Sequence, residues 1–197
     1  GAFPMNMILI LIACMIPFIW YFWREHKLNT PALQWPTMKT VLGLEYEANP
    51  PRLSGAWNGR KVALEALESG VTITTWLNAE TRLRVECGPK DVVTRRAGVV
   101  VPDPVEPVVI PFREKLLARC SDKSCGPLVF DATMQQRLVD LSIVDFVGEQ
   151  FRVIWKLPVV NDLNETEAVL GALCAVADGL ESFPKSGAMP NAQAKRP

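Results

Sequence analysis

Residues 60–87 read Arg60-Lys-Val-Ala-Leu-Glu-Ala-Leu-Glu-Ser-Gly-Val-Thr-Ile-Thr-Thr-Trp-Leu-Asn-Ala-Glu-Thr-Arg-Leu-Arg-Val-Glu-Cys87. Val62, Leu64 and Ala66 alternate onto one face of a strand, Ser69-Gly70 supplies turn chemistry, and Val71 to Asn78 is rich in β-branched residues. These two runs predict a hairpin. Thr81 to Cys87 alternates again, with Leu83, Val85 and Cys87 to one side and Arg82, Arg84 and Glu86 to the other. That is the pattern of an antiparallel sheet with one solvated face, and three such runs in succession predict a meander.

Working outward, Ser54-Gly-Ala-Trp-Asn-Gly59 reads as turn chemistry before the first strand. After the meander, the valine runs of residues 98–111 are cut by Pro102, Pro104, Pro107 and Pro111. Proline cannot donate in a ladder, so these predict edge strands or an extended arm. A strand is expected near Lys115 to Cys120 and a helix from Phe130 to Leu141 with Asp131 near its start. Phe151 to Leu157 reads as a strand, paired with Val144 to Val147 across Gly148-Glu-Gln150. Asn164-Glu-Thr-Glu167 resembles a capping box opening a helix through Val169, Leu170, Leu173, Val176, Ala177 and Leu180. Asn164-Glu165-Thr166 also matches a glycosylation acceptor, which the cap makes unnecessary. The expected fold is α+β: a small antiparallel-sheet domain with two helices over residues 52–183, large enough for its own core, followed by a polar tail at 184–197.

Upstream the text changes. Residues 28–51 hold Pro31, Pro36, Pro50 and Pro51 around scattered apolar residues, which predicts a proline-rich tether lying along a surface. Residues 1–27 read as a transmembrane anchor. Met5 to Trp23 is interrupted only by Asn6 and Pro17, and it would extend about 28 Å as a helix against a hydrocarbon thickness of about 30 Å. A cleaved signal peptide would begin with positive charge and end at a small-residue site, and neither is present. Leu11-Ile-Ala-Cys14 resembles a lipidation signal, but the apolar run continues past it.

Phe18, Trp20, Tyr21, Phe22 and Trp23 form an aromatic group whose rings suit a headgroup boundary, or packing against other helices, lipid or pigment. With Trp35 they are the expected docking residues. The chain carries 21 basic and 21 acidic side chains, but residues 1–23 have none and Arg24, Lys27 and Lys39 form a basic collar behind them. The positive-inside rule then predicts a single-pass protein of the inner, cytoplasmic membrane, with its N-terminus outside and its C-terminal domain cytoplasmic.

Catalytic chemistry finds little material. His26 is the single histidine and sits in the basic collar, so no triad can be built around it. Gly55 to Gly59 lacks the lysine and helix of a phosphate loop. The balanced charge argues against nucleic acid as a partner. Cys120 and Cys125 have a spacing that closes a disulfide on an oxidising side and gives two free thiols on a reducing one, while a structural zinc site lacks the other ligands. No cofactor, metal or catalytic residue is expected.

A short external N-terminus, one aromatic-ended helix, a proline-rich tether and a β-rich cytoplasmic domain resemble in plan the H subunit of bacterial photosynthetic reaction centres. That family caps a core complex without carrying pigment ligands. The resemblance implies a noncatalytic accessory subunit that stabilises an energy-transducing membrane complex, photosynthetic or respiratory. It carries over no functional residue. The alternative is a stand-alone membrane-tethered binding or regulatory module.

Overall fold

The structure, a computed structural model, describes residues 5–96 and 102–183, without the side chains of residues 5–9 and 27–29. The first of the valine runs expected in the proline-rich arm and the polar tail at 184–197 lie outside the described residues. In chain order the elements are α1 (Met5–Asn29), α2 (Trp35–Leu42), β1 (Glu45–Ala48), β2 (Pro51–Trp57), β3 (Arg60–Leu67), β4 (Gly70–Pro89), α3 (Lys90–Arg95), β5 (Asp103–Pro104), α4 (Ile110–Lys115), β6 (Leu116–Cys120), α5 (Gly126–Val129), α6 (Ala132–Val139), β7 (Phe146–Leu157) and α7 (Leu163–Ser182). The fold is α+β with an antiparallel sheet, as expected, but with more helices than the two foreseen.

The sheet order is β1-β2-β3-β4-β6-β5, with β7 on the other edge of β4. The β2–β3 turn is Asn58-Gly59, both at positive φ (49° and 79°), the backbone a two-residue hairpin of this twist needs. At the β3–β4 turn, Gly70 has φ +132° and lies so close to the neighbouring strand that a Cβ there would stand 2.5 Å from the Leu157 carbonyl oxygen.

Two strands differ from the expected meander. β4 does not break at Asn78-Ala-Glu80 but continues as one bent strand of 20 residues. β7 is likewise continuous across Gly148-Glu-Gln150, where a hairpin turn was expected. Gln150 takes φ 55°, so the turn-forming residues serve an irregularity in the β4–β7 ladder. The register shifts between Trp76 and Thr81 and again between Thr81 and Arg84: β4 advances from Trp76 to Arg84 while β7 moves only from Arg152 to Glu149. Surplus length on one strand bends it. The first half of β4 therefore pairs with β3 and its second half with β6, while β7 follows both.

α7 packs against β4 and β7. Its Val169, Leu170, Leu173, Val176, Ala177 and Leu180 meet Ile73, Val85, Phe146 and Val153 in one continuous core. The helix begins at Asp162, whose side chain accepts from the Glu165 amide at 2.7 Å; the cap expected at Asn164 lies two residues earlier. α6 is capped by Asp131, which accepts from Met134 N at 2.8 Å.

The segment read as an extended tether is partly regular. Pro36 occupies the first turn of α2, where its missing N–H costs nothing. Trp35, Met38 and Leu42, spaced along one helix face, are buried in the core. β1 then adds an edge strand to β2.

The transmembrane anchor requires correction. α1 forms, yet among the described residues no helix is long and apolar enough to cross a membrane. The physical reason lies in the helix's second half. There Phe18, Trp20, Tyr21, Phe22 and Trp23 are aromatic side chains suited to a boundary rather than to hydrocarbon, and Arg24, Glu25 and His26 follow at once. Single-pass insertion in an inner membrane, with an external N-terminus and a cytoplasmic domain assigned from it, is not supported.

Candidate docking site

α1 carries the most exposed apolar surface of the described chain. Ile10, Leu11, Ile12, Met15, Ile16, Phe18, Ile19, Trp20, Tyr21, Phe22 and Trp23 are each at least half exposed, from 50% at Met15 to 68% at Phe22. Stray exposed hydrophobics are ordinary on a protein surface; a contiguous run of this size marks an interaction site.

The aromatic half is ordered by short-range contacts along the helix. The Tyr21 and Phe22 rings meet edge to face, with centroids 6.0 Å apart, and the Arg24 guanidinium lies 5.6 Å from the Trp20 ring. The Tyr21 hydroxyl bonds to the Glu25 carboxylate one turn on, and this raises its pKa. The Lys27 side chain lies outside the described residues. Lys39 is exposed in the last turn of α2, where a cation suits the helix C-terminus, and is thus on a different helix from Arg24.

Trp35 does not join the aromatic group on α1. It is fully buried, 0% exposed, and its indole Nε1 donates to the Val160 carbonyl at 2.7 Å. It anchors the junction between α1 and the domain, which sequence reasoning missed in its other half. Asn161 Nδ2 donates to the Thr30 carbonyl at 2.6 Å, Gln34 N donates to Asn161 Oδ1 at 3.2 Å, and Val160 N donates to Pro31 O at 3.2 Å. At the end of α1, the Thr30 amide and hydroxyl both donate to the His26 carbonyl, at 3.0 and 2.7 Å. Residues more than a hundred positions apart in sequence thus fix where α1 leaves the domain. No local pattern around Asn161 announces this.

Elsewhere the polar groups serve the fold. Arg60 on β3 reaches both Asp178 and Glu181 on α7, the latter at 2.6 Å, and Glu181 also accepts from the Asn78 amide at 2.6 Å. This holds the Glu181 carboxyl below its ordinary pKa, chiefly through the Arg60 hydrogen bond. Buried Glu86 on β4 faces Arg119 on β6 at 3.5 Å and Arg84 at 3.8 Å. Gln135, fully buried, accepts from the amides of Val108 and Val109 at 2.8 and 3.0 Å and donates to the Phe130 carbonyl at 2.9 Å. It pins the proline-rich arm to α6. A broad open depression of about 720 Å³ beside α6 is lined by Val109, Thr133, Gln136, Arg137 and Asp140 among others; it brings together one basic and one acidic group, both at its rim. Among the described residues no group of three or more His, Cys, Asp or Glu could hold a metal ion. Cys120, the last residue of β6, and Cys125, directly before α5, are free thiols, both buried.

No family model and no curated protein matches the chain. Among solved structures, the fold is similar to the crystal structure of the mycobacterial trehalose monomycolate transport factor A, TtfA, with a TM-score of 0.59 over 77% of this chain and 94% of that chain at 12% identity. The likeness is one of fold. That neighbour is named a transport factor, and a likeness of fold at this identity carries no role, photosynthetic, respiratory or other, to this chain.

Proposed function

We propose that the protein is a noncatalytic accessory factor that docks on a partner protein of a larger assembly through the aromatic half of α1. The observation that carries this reading is the run of half-exposed apolar side chains over residues 10–23, on a helix whose exit from the domain is fixed by Trp35 and Asn161. A helix of this kind, free in water, leaves a large apolar area uncovered on all its sides, and a second protein that encloses the helix covers it. The rings are the anchors. The solved structure with a similar fold is itself named a transport factor, which accords with an accessory role, as does the chain's single histidine.

The test is co-purification. The tagged full chain, extracted in mild detergent, should retain a partner at fixed stoichiometry, and a variant with Trp20, Phe22 and Trp23 all changed to Ser should lose it. Each buried ring contributes on the order of 1–3 kcal/mol, so the triple change lowers affinity at least about 100-fold. A single-chain species, or an oligomer of this chain alone, overturns the proposal. So does full retention by the triple variant.

A further inference from the structure

α7 packs on one face of the sheet, in a core that holds Ile73 of β4 and Val153 of β7. Alternation sends their neighbours to the opposite face, where Thr72 pairs with Lys156, Thr74 with Ile154 and Trp76 with Arg152. Lys61 of β3 joins the last pair, its ammonium 4.9 Å from the centre of the Trp76 ring. α3 covers this face at its β6 end: a Cβ on Gly88 would stand 3.3 Å from Val93 Cγ2, and Glu86 and its register partner Arg119 are buried. Toward β3 the face is open. Thr72, Thr74, Trp76 and Ile154 are half-buried, and Lys61, Arg152 and Lys156 are exposed.

The charges on this face do not cancel. Glu65 meets Arg52 at 3.3 Å, Glu149 meets Arg84 at 2.6 Å, buried Glu86 faces Arg119 at 3.5 Å and Arg84 at 3.8 Å, and Asp145 pairs with Arg96. Each of these carboxylates is thus already taken by an arginine. Glu45 and Glu47 stand on β1, opposite Ser54 and Arg52, at the far edge of the sheet from β7. Glu80 and Arg82, in the bend of β4, add one charge of each sign. Lys61, Arg152 and Lys156 are left over, and none of them pairs with a carboxylate among the described residues.

We propose that this open part of the sheet face binds an acidic peptide segment of a partner protein, with Lys61, Arg152 and Lys156 taking its carboxylates around Trp76. Arg152 and Lys156 are four residues apart on one strand, about 13 Å, which is also the separation of side chains four residues apart in an extended peptide laid along β7. The Arg152 guanidinium offers a carboxylate two parallel donors, and the Trp76 ring between Arg152 and Lys61 supplies apolar area for the peptide's methylenes. A nucleic acid would need the basic stripe to continue, whereas here the Arg84–Glu149 and Arg52–Glu65 pairs close it on either side. The inference is independent of what encloses α1.

The test is fluorescence anisotropy on the full chain in nonionic detergent, with a short fluorescein-labelled peptide of alternating Glu and Ser as the probe. Saturable binding is expected, weakening as ionic strength rises from about 0.05 to about 0.3 M, and the same peptide with Gln for Glu should not bind. The triple variant Lys61→Gln, Arg152→Gln, Lys156→Gln should bind at least about 10-fold more weakly with an unchanged urea midpoint. The triple variant Lys61→Arg, Arg152→Lys, Lys156→Arg should bind within a few-fold of the parent. A control triple, Lys39→Gln, Lys115→Gln, Lys123→Gln, removes the same charge from exposed positions on α2, on α4 and before α5, and should bind as the parent does. The proposal is overturned if no saturation is reached by about 1 mM, if the Gln peptide binds equally, or if the control triple loses as much as the first. Tighter binding of a single-stranded oligothymidylate than of the acidic peptide also overturns it.

Discussion

Replacing Trp35 separates its role in the core from a role at an interface. The side chain is completely buried, and a tryptophan buries roughly 150–250 Å², which at about 25 cal/mol per Å² corresponds to about 4–6 kcal/mol of apolar burial as an upper bound. Removing the ring also strands the Val160 carbonyl, which now accepts from the indole at 2.7 Å, at a cost of about 1–3 kcal/mol if water does not reach it. Trp35→Ala should therefore lose about 4 kcal/mol or more. Trp35→Phe keeps most of the ring and loses the donor, so about 1–3 kcal/mol is expected. With a urea m-value of about 2 kcal/mol per M, the unfolding midpoint of the full chain should fall by about 2 M for alanine and about 1 M for phenylalanine. Trp20→Ala and Trp23→Ala, at 57% and 56% exposure, should stay within about 0.5 kcal/mol of the parent. The reasoning fails if Trp35→Ala shifts the midpoint no more than Trp20→Ala does, for then the indole carries no core energy.

Other positions give sharper local tests. Gly70→Ala places a Cβ against the Leu157 carbonyl at φ +132°, where only backbone movement gives relief, and should cost more than about 2 kcal/mol in urea unfolding; an effect below 0.5 kcal/mol, on the order of an ordinary surface change, would refute the close approach. Gln135→Leu should destabilise by about 2–4 kcal/mol and speed hydrogen exchange at the Val108 and Val109 amides, which lose their acceptor; unchanged exchange there would show that the arm is held by something else. For Glu181 the folded pKa is depressed by Arg60. Its contribution is thus complete above the ordinary carboxylate value of 4.5 and is lost as pH falls through the lower folded value. Glu181→Gln should flatten the fall in urea midpoint below about pH 4.5, and an unchanged acid limb would count against the pair.

Local chemistry made parts of this fold readable. Ser69-Gly70 is a turn because of a close approach that the flanking strands enforce, whereas of Ser54 to Gly59, read as turn chemistry, only Asn58-Gly59 turns, at positive φ, and Ser54 to Trp57 continue β2. Asp131 is a helix cap because its short carboxylate reaches the Met134 amide. The errors occur where the same local signal had a non-local use. Gly148-Glu-Gln150 has the residues of a turn, but a long partner strand on one side makes an irregular ladder better satisfied than a hairpin. Asn78-Ala-Glu80 is polar enough to end a strand, yet the Asn78 amide is held by Glu181 of α7. Asp162 and Asn164 both offer caps, and the choice falls to whichever fits the chain arriving from β7. The exposed apolar surface of α1 was visible as an apolar and aromatic run. Its attachment was not, because Trp35 in an aromatic context reads as one more exposed ring until Val160 and Asn161 are brought to it across the fold.

The mismatch in length between β4 and β7 has a consequence for how this chain tolerates insertions and deletions. Trp76↔Arg152 and Arg84↔Glu149 are firm pairings on either side of a stretch in which β4 has residues to spare. A residue added to or taken from Leu77 to Leu83 can be absorbed there, leaving the ladders to β3 and β6 in phase. The same change between Val71 and Thr75, or between Val85 and Pro89, moves every following side chain to the opposite face of the sheet. Length variation in this strand should therefore concentrate at its bend.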